Sequence, residues 1–377
     1  MNTVNLTKHE EIELEVLTDL AKRRLSEGKY TPGQRLNAAL SGKKLDRIPF
    51  QLIAYSSYLI GESVQNFQLN PIVRYKSTCA QIIRWGEVEC DNANRVNSYK
   101  VGEYLGAELR YSEDKAPSTQ KYIVNDQSDL KKLYIPDLEP LLEKDIWSIN
   151  NLKTRFKDMI GPPTSFLYAP FNWVSTYARE SSQLFMDIHD NPSFVHKLCR
   201  FATDLEIKIA KYLSEKTGGC GFFMPDGFGE MHSPEQYQEF GIPYTAEVAN
   251  AAPECLFYIA PPPSKLSQIT SFYELLKDHK NIICMGSSLD PKYPLKNMND
   301  LRQYCEILTD LGRPYHVAIN QTFLQLSTPE EVEDNVRELI NIGKKGNMIF
   351  RTDVIDEATP VQNIEALIRA IEKYGKW

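Results

Sequence analysis

The segment "GCGFFMPDGFGEMHSPEQYQEFGIPYTAEVANAAPECLFYIAPPP" (residues 219–263) contains one complete strand–helix–strand unit. It begins with an apolar run, 219–226, and ends with a second one, 254–261, which stops at three consecutive prolines. Between them, the Ser-Pro-Glu at 233–235 is typical of a helix start, because serine caps a helix, proline suits its first position and an acid favours its first turn. Two buried strands joined by a helix predict a parallel pair.

The same unit recurs along the chain. Six further apolar runs rich in β-formers lie at 47–55, 86–94, 165–171, 281–289, 314–321 and 347–353. Helical patterns separate most of these runs, for example at 193–216 and in "TPEEVEDNVRELINIGKK" from Thr328 onwards. Eight strand–helix units in one chain predict an α/β fold of the (β/α)8 type, a TIM barrel.

Two helices are predicted ahead of the barrel. Residues 8–27 carry apolar positions at helical spacing, and a second helix follows with Thr31 as its N-cap and Pro32 as its first residue. We therefore expect residues 1–46 to form a helical N-terminal extension.

Section 95–164 is longer and more polar than the other connections. It includes the hairpin-like run "AELRYSEDKAPSTQKYIV", and we expect it to be an insertion after the second strand. No linker divides the chain, so residues 1–377 are expected to form a single domain.

Composition excludes several classes of function. The net charge is −7, and the 43 Lys and Arg residues are scattered, which argues against nucleic acid as a partner. No apolar run approaches the roughly 20 residues that span a bilayer, and "MNTVNLTKHEEIELEVL" has no signal-peptide core, so we expect a cytoplasmic protein without a membrane partner. The seven cysteines lack metal-binding spacing and are expected to be buried apolar residues rather than disulfides.

Active sites of TIM barrels lie at the C-terminal ends of the strands, so the last residues of each run are the candidates for chemistry. This rim is rich in Tyr, Asn and Asp, which suits a planar organic ligand. The predicted catalytic residues are Asp226, Tyr258, His232 and Asp353. The predicted substrate-binding residues are Tyr168, Asn172, Glu230, Asn320 and Asn94.

The densest group lies in "MPDGFGEMHSPE" (224–235), where two carboxylates and a histidine follow a strand. They could share acid–base work or bind a metal, but no further ligand lies nearby in sequence, so no metal site is predicted. Asp353 closely follows Arg351, and the two could form a structural ion pair or belong to the site. The remaining histidines considered are expected on helix or strand surfaces: His189, His196, His279 and His316.

Several longer segments carry a family resemblance. They are "RLNAALSGKKLDRIPF" (35–50), "YLGAELRYSED" (104–114), "APFNWVSTYARESSQLFMDIHDNPSFVHKL" (169–198), "SPEQYQEFGIPY" (233–244), "TPEEVEDNVRELI" (328–340) and "ATPVQNIEALIRAIEKYG" (358–375). In this order they resemble the uroporphyrinogen decarboxylase superfamily and, within it, the corrinoid-dependent methyltransferases.

Two departures from the family pattern narrow the activity. The decarboxylases carry an arginine-rich segment after the first strand, whereas "IAYSSYLIGES" (53–63) has no arginine to bind an anionic tetrapyrrole. The thiol methyltransferases hold zinc through a His-x-Cys and a further Cys, and the matching positions here are Tyr258, Ala260 and Asp353. Zinc is therefore not expected at the family's usual site.

The resemblance then implies transfer of a methyl group from a methylated substrate, an aryl methyl ether, to cob(I)alamin carried by a separate corrinoid protein. The leaving phenolate would need a donor, for which the four predicted catalytic residues are the candidates. Three alternatives stay open: an N-methyl or other small methylated donor, a decarboxylase or lyase, and a non-catalytic binding protein. A homodimer is also left open.

Overall fold

Parallel strands form the central sheet of the computed structural model, which describes residues 4–87, 96–113, 116–225, 233–260, 281–284 and 297–377. The strands in these ranges are β1 (Phe50–Gln51), β2 (Glu108–Arg110), β3 (Ser118–Lys121), β4 (Thr164–Phe166), β5 (Gly221–Pro225), β6 (Leu256–Ala260), β7 (Ile282–Cys284), β8 (Pro314–Ile319) and β9 (Asn347–Thr352).

Seven of these strands pair in the order β1-β9-β8-β7-β6-β5-β4, and every pair is parallel. Consecutive strands of the chain are neighbours, and the last strand returns to the first, which is the order of a TIM barrel. The predicted fold is confirmed. Of the predicted eight runs, the one at 86–94 falls almost entirely outside the described residues.

Within the described ranges, helices follow most of the barrel strands and cover the sheet. Their bounds are α1 (Lys8–Leu25), α2 (Pro32–Leu40), α3 (Val64–Leu69), α4 (Pro71–Trp85), α5 (Val96–Tyr104), α6 (Glu139–Phe156), α7 (Pro170–Trp173), α8 (Ser181–Asp190), α9 (Pro192–Thr217), α10 (Pro234–Gln236), α11 (Ile242–Ala251), α12 (Met298–Asp310), α13 (Gln321–Leu326), α14 (Pro329–Gly343) and α15 (Val361–Tyr374). Short π-helical segments follow α7 at Val174–Ala178 and α10 at Tyr237–Gly241.

Alternation along the strands produces two separate cores, because successive side chains of a strand point to opposite faces. The outer core, between sheet and helices, contains Phe222, Phe257, Val317, Met348 and Phe350. The inner core, inside the barrel, contains Tyr258, Ile283 and Ile349 together with Leu36 and Ala39 of α2.

Helix α2 closes the N-terminal end of the barrel. Its N-cap is Thr31, which accepts a hydrogen bond from the Gln34 amide, as predicted. A Cβ on Gly33 would lie 2.3 Å from the carbonyl oxygens of Asp158 and Ile160, so only glycine allows the helix to pack this closely on the chain ahead of β4. The opposite end, where the strands end, is the mouth, on which ligands bind in this fold.

Helix α1 packs outside the barrel. It buries Leu14, Ala21 and Leu25 against α4 and α6, and the Thr18 hydroxyl lies 2.7 Å from the Tyr75 hydroxyl. Both helices of the predicted N-terminal extension are present.

The section between α5 and β4 contains the predicted hairpin, with β2 antiparallel to β3. In the residues the structure describes, no helix is long and apolar enough to cross a membrane. The five cysteines recorded as free thiols there are buried, as expected: Cys79, Cys199, Cys220, Cys255 and Cys305.

Candidate active site at the barrel mouth

Tyr258 lies in the inner core rather than at the mouth. Its side chain is 1% exposed, and its ring stacks on the imidazole of His316 with centroids 5.7 Å apart. A Cβ on Gly221, the first residue of β5, would lie 3.3 Å from Tyr258 Cε2, so the ring leans towards the N-terminal end of the barrel. The expectation that Tyr258 faces the mouth is corrected: its position in the middle of β6 places the phenol below the rim.

The position of His316 also differs from the prediction. It was expected on a strand surface, but it is fully buried, and neither ring nitrogen has a hydrogen-bond partner within the described ranges. Burial, with a smaller contribution from the Arg351 charge, lowers the pKa of His316 well below 6.5, so the ring is neutral at pH 7. In "PYHVAIN" the residues on either side of His316 belong to the outer core, so alternation along β8 turns His316 towards the barrel interior.

Arg351 and Asp353 form an ion pair at the mouth end of β9. The Arg351 Nη2 donates to Asp353 Oδ1 over 3.4 Å, and the two side chains are 11% and 24% exposed. Arg351 has the same strand parity as Ile349 of the inner core, so it faces the barrel interior. Among the described residues, none accepts a hydrogen bond from its buried Nε. The ion pair that the sequence left open is present, and it lies on the face where ligands bind in this fold.

Aromatic side chains line the opposite side of the interior, at the end of β4 and in the middle of β5. The Phe166 ring lies 4.8 Å from Tyr168 and 5.5 Å from Phe223, centroid to centroid. Tyr177, in the first π-helical segment, meets Tyr168 edge to face at 5.5 Å and donates to its hydroxyl over 3.4 Å. We call Phe166, Tyr168, Tyr177 and Phe223 the aromatic wall. Tyr168 is partly exposed, which fits its predicted contact with substrate.

Glu206 supports this wall from behind. It lies on α9, is fully buried, and its Oε1 accepts a hydrogen bond from the Tyr168 backbone amide over 3.4 Å. Burial raises the pKa of Glu206 well above 4.5, and its hydrogen bond to the Tyr168 amide holds the end of β4. The sequence does not identify Glu206 as part of the site, because a helical pattern does not distinguish a buried acid from a solvated one.

Two predicted substrate-binding residues have structural roles. Asn172 Nδ2 donates to the Pro225 carbonyl over 2.8 Å and so fixes the end of β5. Asn320 caps α13 by accepting a hydrogen bond from the Phe323 amide over 3.1 Å. Both residues lie at the mouth end of the barrel, and a role in binding substrate stays a prediction.

The other predicted site residues lie outside the described ranges: Asp226, Glu230, His232 and Asn94. Among the residues that are described, no three His, Cys, Asp or Glu side chains come together as a metal site would require.

The donors at the family's zinc position do not fit zinc. Tyr258 is a buried phenol, Ala260 has no donor atom, and Asp353 is paired with Arg351. A structural or catalytic zinc requires at least three protein ligands of the Cys, His or carboxylate type, and this position supplies one.

A separate cavity of about 640 Å³ opens beside the ends of β1 and β9. Two tyrosines, Tyr55 and Tyr58, line it, and four carboxylates do so too: Glu62, Glu113, Asp356 and Glu357. Burial, Asp356 and Glu357 together raise the pKa of Tyr58 to about 12. Its described lining contains no Lys or Arg, so the cavity is strongly acidic.

Solved structures with the same fold include a methyltransferase from Methanosarcina mazei. It is 16% identical in sequence, with a TM-score of 0.70, and the match covers 92% of this chain and 99% of that one. A B12-independent methionine synthase from Shewanella sp. W3-18-1, in complex with selenomethionine, matches at 13% identity with a TM-score of 0.44, over 79% of this chain and 80% of that one. A search of curated proteins finds no significant match.

The sequence profile described as "Uroporphyrinogen decarboxylase (URO-D)" matches residues 31–374. The match runs from the N-cap of α2 to the end of α15 and so includes every strand of the barrel. The chain belongs to the uroporphyrinogen decarboxylase family.

Proposed function

We propose that the protein transfers a methyl group from an aryl methyl ether to cob(I)alamin on a separate corrinoid protein. The observation that carries this proposal is the aromatic wall. The four rings pack edge to face or tilted against one another, and the partly exposed Tyr168 offers an aromatic surface against which a planar aromatic substrate packs inside the barrel.

The protein contributes little covalent chemistry to this reaction. Cob(I)alamin is a strong nucleophile, so the enzyme must hold the methyl group in line with cobalt and stabilise the charge that develops on the leaving oxygen. A corrinoid protein would have to dock over the barrel mouth, since Phe166 and Tyr168 of the wall lie at the C-terminal end of β4.

The surroundings of β1 disfavour porphyrin decarboxylation. The loop after β1 lines the acidic cavity, where a multiply anionic tetrapyrrole would meet the carboxylates of Glu62, Asp356 and Glu357. Like charges at this distance oppose binding, whereas a decarboxylase needs cationic partners for the substrate's carboxylates.

The decisive experiment mixes the protein with 2-methoxyphenol and related methoxyarenes and with a corrinoid protein loaded as cob(I)alamin, under anoxic conditions. We expect the cobalt absorption to change to that of the methylated corrinoid, with one phenol released per methyl group. No change with any methoxyarene, together with conversion of a carboxylated substrate in the absence of corrinoid, would contradict the proposal.

The acidic cavity favours N-methyl donors as a second candidate. Tyrosine faces and carboxylates are the groups that bind organic ammonium ions in proteins, through cation–π and Coulomb attraction. The same assay with tetramethylammonium in place of the methoxyarene separates the two classes. Methylation of the corrinoid by the ammonium ion, lost in Glu357→Gln and Tyr58→Ala, would establish the second candidate instead of the first.

A further inference from the structure

The guanidinium of Arg351 has more hydrogen-bond donors than its surroundings use. An arginine side chain carries five N–H donors. In the part of the chain that the structure describes, Nη2 makes one long bond to Asp353, and the buried Nε has no hydrogen-bond partner. Buried polar groups in native proteins are normally paired, so unused donors on a side chain that is 11% exposed indicate a place for a ligand.

The group missing beside Arg351 is a hydrogen-bond acceptor, because its unused groups are N–H donors. His316, on the neighbouring strand β8, is neutral, so it neither repels the guanidinium nor neutralises it. Asp353 is the more exposed partner, and its contact with Arg351 is long at 3.4 Å, so it orients the guanidinium without saturating it. A positive charge held this way in a half-closed interior attracts an anionic oxygen more strongly than it would in water.

The position of Arg351 also fits an aromatic ligand. β5 and β9 are four strands apart in the sheet order, which puts them on opposite sides of an eight-stranded barrel. A ring that packs edge-on against the aromatic wall therefore points its opposite edge towards Arg351. The phenol of Tyr258 is buried beneath this level and leans away from it.

We propose that Arg351, rather than Tyr258, donates to the aryl oxygen of the substrate and stabilises the phenolate as it leaves. The assignment rests on the proposed methyl transfer from an aryl ether. In the step, the carbon–oxygen bond breaks with its electron pair staying on oxygen, and cobalt supplies the pair for the new cobalt–carbon bond. The charge moves from cob(I)alamin to the phenolate, which takes a proton from solvent after release.

The first test measures binding without catalysis. 4-Nitrophenol absorbs differently as phenol and phenolate, so titration of the bound probe reports its pKa. We expect the wild type to lower the pKa of bound 4-nitrophenol by about one to two units, as a charge-assisted hydrogen bond would. Arg351→Met should abolish the shift, Arg351→Lys should keep part of it, and Arg337→Met, an exposed arginine on α14, should match the wild type.

The second test measures turnover. Arg351→Met should lower kcat for methoxyarenes by about 10²- to 10³-fold, as loss of an oxyanion donor does, with the largest losses for ethers of the least acidic phenols. Circular dichroism and thermal unfolding establish that each variant is folded. Because methionine could disturb Asp353, the double variant Arg351→Met/Asp353→Asn is measured as well and is expected to show the same loss.

The outcomes separate the two proposals. An equal shift of the nitrophenol pKa in wild type and Arg351→Met overturns the role of Arg351, and so does an unchanged kcat. Binding of 4-nitrobenzoate that depends on Arg351, without any phenol shift, also overturns it and assigns the arginine to a substrate carboxylate. A shift that depends on Arg351 in a protein that demethylates no methoxyarene supports the anion site and contradicts the proposed function.

Discussion

Tyr258 and His316 stack inside the barrel with their planes 9° apart and their centroids at 5.7 Å. The two rings come from β6 and β8, with β7 between them, and both are buried. They form an aromatic layer between α2, which closes the bottom of the barrel, and the mouth. This layer sets the depth to which a substrate can enter.

Tyr258→Phe should leave turnover nearly unchanged. The ring keeps its stacking on His316, and the hydroxyl lies too deep to contact a leaving group at the mouth. We expect kcat to change by less than about tenfold, whereas loss of a transition-state donor costs about 10²- to 10³-fold. Steady-state kinetics with a methoxyarene measure kcat. A loss of about 10²- to 10³-fold would show that Tyr258 is a catalytic residue.

His316→Leu should weaken the dependence of the unfolding free energy on pH below 6.5. Because the folded-state pKa lies well below 6.5, the unfolded chain binds a proton that the folded chain does not, and wild-type stability falls as the pH drops below 6.5 towards the folded-state pKa. The slope due to this one group is at most about 1.4 kcal/mol per pH unit. Denaturant unfolding from pH 5 to 7.5 measures it.

The matched control is His196→Gln. His196 is partly exposed on α9, where its ring contacts Tyr244 and Glu239, so its replacement should leave the slope close to that of wild type. A wild-type slope retained by His316→Leu would mean that His316 is solvated or charged in the folded protein.

Glu206→Gln should stabilise the protein at neutral and alkaline pH. The pKa of Glu206 is raised, so the folded chain keeps a proton that the unfolded chain loses above about 4.5. This contribution to stability is complete below 4.5 and is lost as the pH rises through the folded-state pKa. Glutamine has no proton to lose, so the gain over wild type should grow with pH at up to about 1.4 kcal/mol per unit.

Unfolding free energies at pH 4.5, 6 and 8 test this expectation. Glu215→Gln, an exposed acid on the same helix α9, serves as the control and should show no comparable trend. A Glu206→Gln protein that is less stable than wild type at pH 8 would show that the carboxylate is ionised and partnered in the folded state.

Gly33→Ala should destabilise the protein, although alanine is the better helix former by about 1 kcal/mol. The added Cβ would lie 2.3 Å from two backbone carbonyl oxygens, so α2 must move off the chain ahead of β4. Overpacking of this kind costs about 1 to 3 kcal/mol. Thermal unfolding measures the change, and Asn37→Ala on the exposed side of α2 controls for helix propensity. A stabilised Gly33→Ala would show that α2 does not close the barrel this tightly.

The strand segments could be predicted because local periodicity reflects burial. The observed β5, β6, β8 and β9 all fall within predicted runs, and the N-cap of α2 lies at Thr31 as expected. The face and the depth of each side chain within the barrel are harder to predict. The sequence predicts Tyr258 at the mouth and His316 on a surface. Alternation shows that a strand has two faces, but it does not show which of them faces the barrel interior.

The sequence by itself determined the barrel, its helical N-terminal extension and the family, since these follow from hydrophobic period, turn residues and the order of segments. Only the tertiary structure decided which polar groups meet. The pairing of Arg351 with Asp353, the acid behind Tyr168 and the stacked rings of Tyr258 and His316 join residues whose environments depend on the closure of the sheet. Burial and distance fix the charge of each group, and neither can be computed from one strand alone.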